Sequence, residues 1–126
     1  MQGRKQRPVF LNLFRIHFPV TAVVSIGHRI SGVLLFLAVP FAAWLLHLSL
    51  EGPEGYAAAA AFLAGGGMHV VLLILLWMQA HHLYAGVRYL LIDLDLGVDL
   101  VTARRSAWAV IAGAILTLFV GAWLLP

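Results

Sequence analysis

Along this chain, polarity disappears over three long stretches, and the charged residues collect at their edges. The first stretch covers about residues 21–50, with an uninterrupted apolar core at 33–46. The second covers about 68–92, and the third about 107–125. A helix crosses the hydrocarbon of a bilayer with about 20 mostly apolar residues, so each stretch is predicted as a membrane-spanning α-helix. Between the first two, Glu51-Gly52-Pro53-Glu54-Gly55 joins charge to helix breakers and reads as a loop. The Ala-rich tract 57–64 that follows is weakly apolar and suits a short interfacial helix leading into Gly65-Gly66-Gly67. A second loop is predicted over residues 93–105, acidic first and basic afterwards. Pro40 falls inside the first span, where a membrane helix tolerates it if neighbours satisfy the freed carbonyl. The expected fold class is an all-α membrane protein, a single anchor domain over residues 1–126 with three transmembrane helices.

Composition removes the main alternative. Of the 126 residues 63% are hydrophobic and only 10% charged, whereas a soluble domain carries about 25% charged residues to solvate its surface. The net charge of +3 raises the question of a polyanion partner. Nucleic-acid binding needs basic residues clustered on a soluble face, and here they flank apolar runs, so no nucleic acid is expected. Arg4, Lys5 and Arg7 resemble the charged start of a signal peptide. Arg15 and His17 interrupt the apolar stretch that should follow, and no cleavage site is evident, so the N-terminus is expected to be retained.

Charge also predicts orientation. Arg4, Lys5, Arg7, Arg15 and Arg29 precede or open the first span, and Arg88, Arg104 and Arg105 flank the second loop. The first loop has Glu51 and Glu54 but no Lys or Arg. With three spans, all eight basic residues fall on one side, which the positive-inside rule makes cytoplasmic. The N-terminus is therefore expected in the cytoplasm and the C-terminus opposite.

There are no cysteines, so a disulfide, a thiolate-held iron–sulfur cluster and a Cys-ligated zinc are all excluded within this chain. A redox centre of its own would have to use the six histidines: His17, His28, His47, His69, His81 and His82. Two polar clusters stand out. In Ser25-Ile26-Gly27-His28-Arg29-Ile30-Ser31-Gly32, Ser25 and Arg29 are one helical turn apart, with Gly32 and Phe36 continuing that face. An arginine near the hydrocarbon is costly unless it is paired or reaches the interface. A guanidinium with a hydroxyl one turn away suits the polar headgroup of a lipophilic molecule such as a quinone. The alternative is an arginine that only anchors the helix end at the headgroups.

In the second cluster, His81-His82-Leu83-Tyr84-Ala85-Gly86-Val87-Arg88-Tyr89, a neutral imidazole is a natural axial ligand for a b-type haem. Gly86, one turn beyond His82, removes a side chain that would meet a porphyrin, whereas His81 points about 100° away. The alternative is an interhelical histidine hydrogen-bonded to a neighbour. A second haem at His69 is disfavoured, because the helix turns about 220° between His69 and His82. His69 and His47 read as interfacial. A six-coordinate haem on His82 would take its other ligand from another polypeptide, which points to a heteromeric helix bundle.

These clusters, in this order, resemble the cytochrome b subunit family, the larger hydrophobic anchor of bacterial succinate dehydrogenase. The resemblance rests on Arg7-Pro8, on His17-Phe18-Pro19-Val20-Thr21-Ala22, and on Ser25-x-x-His28-Arg29-x-Ser31-Gly32. It continues through Pro53-Glu54-Gly55-Tyr56, through His82-x-x-x-Gly86-Val87-Arg88 with Asp93, and through Arg105-Ser106. It implies that His82 is the axial ligand of haem b, that His28 and Arg29 lie near the haem propionates, and that Ser25 and Arg29 line a ubiquinone site. It further implies three protein partners besides quinone and membrane lipid: a second hydrophobic anchor supplying the other haem ligand, an iron–sulfur subunit and a flavoprotein, with FAD and the clusters confined to those last two, and the bacterial cytoplasmic membrane as the common site. The family often has histidine where this chain has Tyr89, which leaves a propionate or proton-path contact there open. An anchor of quinol:fumarate reductase and a purely structural anchor are the competing readings. In each case the chain is a subunit of an enzyme and not an enzyme alone.

Overall fold

The computed structural model describes residues 16–124. The basic residues Arg4, Lys5, Arg7 and Arg15, the Arg7-Pro8 motif and Leu125 lie outside the described residues. Four helices follow in order: α1 (Val20–Leu50), α2 (Pro53–Leu63), α3 (Gly66–Asp93) and α4 (Leu100–Leu124). Among the described residues there is no strand. Helices α1, α3 and α4 are long and apolar enough to cross a membrane, and the fold is that of an all-α, multi-pass membrane protein.

Two boundaries differ from the sequence reading. Helix α2 begins at Pro53 rather than after Gly55, because proline at the first helical position loses only an N–H that would have no helical partner. The turn is carried by Gly52 at φ 117°, a conformation that favours glycine. Helix α4 begins at Leu100, well before the residue-107 start that hydropathy indicates. Asp99 Oδ1 accepts hydrogen bonds from the amides of Val101 (3.1 Å) and Thr102 (3.0 Å), which caps the helix. The first turns of α4 therefore carry Arg104 and Arg105 beyond the apolar span, and the loop shrinks to residues 94–99. Pro40 sits inside a continuous α1.

Helix α3 is the centre of the bundle, packing closely on α4 and less extensively on α1, while α2 folds back along the end of α1. That return is held by a cluster of Phe41, Trp44 and Phe62, with ring centroids 5.7–5.9 Å apart. The core itself is small: Val24, Ala85, Ala107 and Val110 are buried, with Val20, Tyr89 and Ile111 packed against them. Most large apolar side chains face outward, such as Phe36 and Trp123, as expected where lipid and partner helices replace water.

Candidate functional site

The two polar clusters meet where α1 crosses α3. The imidazoles of His28 and His82 stack with centroids 4.2 Å apart and planes 9° from parallel. Nδ1 of His82 lies 3.1 Å from the backbone carbonyl of His28 and 3.2 Å from Ser31 Oγ. The Ser31 hydroxyl donates to that same carbonyl at 3.0 Å. A carbonyl can only accept, so Nδ1 of His82 carries the proton and donates it. Nε2 is then the lone-pair nitrogen, and it has no hydrogen-bond partner among the described residues. This is the tautomer a metal-ligating histidine needs, its far nitrogen fixed by a carbonyl.

His81 is arranged the other way. Its Nε2 is 3.4 Å from the carbonyl of Val24, a long contact that points it into α1. The two histidines fit against α1 because glycines face them. A Cβ on Gly27 would lie 2.6 Å from His81 Nε2, and one on Gly32 would lie 3.0 Å from His82 Cε1. Glycine clearance for His81 thus comes from the neighbouring helix, where the spacing within α3 offers none. The structure also corrects the face assigned to Gly32, which turns toward His82 instead of continuing the Ser25–Arg29 face. Gly86 does share a face with His82, and the space it leaves is bordered by His28, whose Nε2 would be 3.5 Å from an added Cβ. The edge of His28 meets the Tyr89 ring at 5.3 Å.

Among the described residues, Ser25 borders a cavity that Arg29 does not line, a space of about 480 Å³ shared with Thr21, Arg88, Tyr89 and Leu100. Arg29 is exposed and makes no hydrogen bond to the described residues. It stands about 40° further round α1 than Ser25, on the side away from α3, where a partner or a ligand can reach it. The buried cation is Arg88, only 7% exposed. Its Nε donates to Ser106 Oγ at 2.9 Å and its Nη2 to the Ala103 carbonyl at 3.1 Å, tying α3 to α4. Tyr89 Oη is buried and has no hydrogen-bond partner among the described residues.

His47 is exposed at the far end of α1, 3.4 Å from Glu51, and His69 lies in the first turn of α3. Neither approaches the His28–His82 pair. Among the described residues no group of three or more His, Cys, Asp or Glu converges on a metal site. The donor set instead offers one prepared imidazole nitrogen, which suits a metal already held in a macrocycle.

The chain matches, over residues 3–121, the family described as succinate dehydrogenase/fumarate reductase transmembrane subunit. It belongs to that family. Among its relatives, the succinate dehydrogenase cytochrome b556 subunit of Coxiella burnetii is 37% identical over 121 residues, covering 94% of this chain and 97% of the relative. The protein of that name from Paracoccus denitrificans is 31% identical over 122 residues, 94% of each chain. That from Rickettsia felis is 28% identical over 111 residues, 88% of this chain and 86% of the relative.

Within this transmembrane subunit, sequence reasoning missed three participants. Ser31 was legible only as part of a motif, although its position three residues after His28 places its hydroxyl on the His28 carbonyl. Gly27 gave no sign of facing His81, because that depends on the register between two helices. Arg88 read as a flanking charge, and its burial follows from the early start of α4, which brings Ala103 and Ser106 alongside it.

Proposed function

We propose that this subunit anchors a succinate dehydrogenase to the membrane, ligates haem b through His82 and helps to bind ubiquinone beside Ser25 and Arg29. The observation that carries the reading is the His82 tautomer: Nδ1 is committed to the His28 carbonyl at 3.1 Å, which leaves Nε2 as a donor. The cytochrome b556 names of the relatives point the same way. Bound there, haem b supplies a one-electron acceptor and donor near the quinone.

The chain's own residues have separate tasks. His82 offers a neutral imidazole whose ring is fixed by contacts to α1. His28 and Arg29 follow one another near the end of α1 and can meet the propionates. Ser25 offers a hydroxyl at the edge of a cavity on the side of the 94–99 loop. Arg29 offers an uncommitted guanidinium, which stabilises negative charge as it develops on a quinone oxygen. Succinate is oxidised on a flavoprotein, and iron–sulfur clusters of a second soluble subunit deliver the electrons. Ubiquinone takes two electrons and two protons and leaves as quinol. A second hydrophobic anchor completes the haem ligation, since His82 is the one prepared donor described in this chain. The complex resides in the bacterial cytoplasmic membrane, with the N-terminus and the 94–99 loop inside.

The test is spectral and kinetic. In the assembled complex His82→Ala loses or converts the low-spin b-type spectrum, while His81→Ala keeps it; the reverse result refutes the assignment. Comparing succinate-to-ubiquinone with menaquinol-to-fumarate rates in membranes separates a succinate dehydrogenase from a quinol:fumarate reductase. A complex with neither haem nor quinone dependence on these residues would be a structural anchor.

A further inference from the structure

Ser31 is 3% exposed, yet it is a polar residue in the middle of an apolar helix and faces α3. Its hydroxyl hydrogen is used on the His28 carbonyl at 3.0 Å. Its oxygen, with free lone pairs, lies 3.2 Å from His82 Nδ1. The same Nδ1–H is therefore shared between two acceptors, the His28 carbonyl at 3.1 Å and Ser31 Oγ. The hydroxyl cannot act as the donor to Nδ1 while it donates to the carbonyl, and the carbonyl can accept from both. All three groups then agree on one arrangement, with the proton on Nδ1.

We propose that Ser31 is a positioning residue for His82: it holds the Nδ1–H tautomer and makes Nε2 a more electron-rich ligand to haem iron. This rests on the reading of His82 as the axial ligand. Acceptors on the far nitrogen of a metal-bound imidazole raise its basicity, and a more basic ligand favours the ferric over the ferrous state. Glycine at position 32 belongs to the same device, since it lets the His82 ring come close enough to α1 for both acceptors to reach it.

The experiment uses the whole purified complex, with redox titration of the haem and the ferric low-spin electron paramagnetic resonance signal as readouts. Ser31→Ala keeps its haem, because the His28 carbonyl still accepts from Nδ1. At a fixed ambient potential its ferrous-to-ferric ratio rises about 3- to 10-fold, tenfold being about 59 mV for one electron. Ser31→Thr, which keeps the hydroxyl, restores most of the parental ratio. A Ser31→Ala complex with parental midpoint and resonance signal overturns the proposal, and so does a Ser31→Thr complex shifted as far as alanine, which would make the effect one of packing. His82→Ala runs beside them: if it retains the parental spectrum, the ligand assignment has failed and the role of Ser31 falls with it. If it loses the spectrum while Ser31→Ala changes nothing, only the role of Ser31 has failed.

Discussion

Arg29 is the residue whose replacement discriminates best between an anchor and a ligand site. It is exposed on α1 and makes no hydrogen bond to the described residues, so Arg29→Leu breaks no hydrogen bond among residues 16–124. A loss of quinone reduction with assembly and haem spectrum preserved is then a loss of contact with quinone. A hydrogen bond to a charged group contributes about 1.5–3 kcal/mol. If it forms mainly as charge develops on the quinone oxygen, ubiquinone reduction by the complex falls about 10- to 150-fold. Ser25→Ala deletes a neutral hydroxyl and has a smaller effect, chiefly a higher KM for quinone. In both variants succinate oxidation with an artificial acceptor that draws electrons from the soluble subunits stays near the parental rate. The haem spectrum is recorded alongside, because Arg29 can also meet a propionate. Full quinone reductase activity in an assembled Arg29→Leu complex would show that Arg29 is only an anchor and would move the quinone away from it.

Other perturbations test the framework. Reporter fusions after Glu54 are expected outside and those after Asp99 inside, and a cytoplasmic signal after Glu54 would overturn the orientation. Arg88→Lys keeps a buried charge but loses the planar fork to Ser106 and Ala103; it should destabilise α3–α4 packing more than Arg88→Met, in which Ser106 still donates to Ala103 at 3.1 Å, as measured by unfolding in detergent. Hydrogen bonds from the Thr102 side chain, and from the Thr102 and Val101 amides, hold the Asp99 carboxyl below the usual carboxylate range. The cap is therefore complete above the ordinary carboxylate pKa and is lost as pH falls through the lowered one, so the protection of the Val101 and Thr102 amides, taken against the intrinsic exchange rate at each pH, should fall in acid, and Asp99→Ala should show that lower protection already at neutral pH.

The three membrane helices were readable because the bilayer imposes a length on apolar runs, and α1, α3 and α4 obey it. The start of α4 was not, because hydropathy reports where a helix enters lipid and not where it begins. Residues 100–106 are helical through the Asp99 cap, yet Thr102, Arg104, Arg105 and Ser106 interrupt their apolar signal. The pairing of His82 with Gly86 was readable because both lie on one helix, where spacing fixes direction. Contacts between helices were not: Gly27 with His81, Gly32 with His82 and Ser31 with His82 all depend on how far α1 slides along α3. Ser25 and Arg29 stand about 40° apart round α1, and that angle leaves Ser25 beside α3 and Arg29 exposed.

The two seams of α3 are built differently. Against α4, small residues allow close approach: Ala107, Val110 and Ala114 are buried, and the Tyr84 ring fills the space at Gly113. Tyr84 Oη bonds Thr117 Oγ1 at 2.9 Å, and Arg88 adds its two bonds further along. Against α1 the imidazole and glycine contacts lie beside Val24, the one large side chain fully buried among the described residues. Interhelical hydrogen bonds in membranes average about 0.6 kcal/mol, so the few at the α1 seam stabilise it only modestly. The buried Val24 and Ala85, with Val20 and Tyr89 packed against them, therefore carry much of that seam, and the glycines admit the imidazoles beside it.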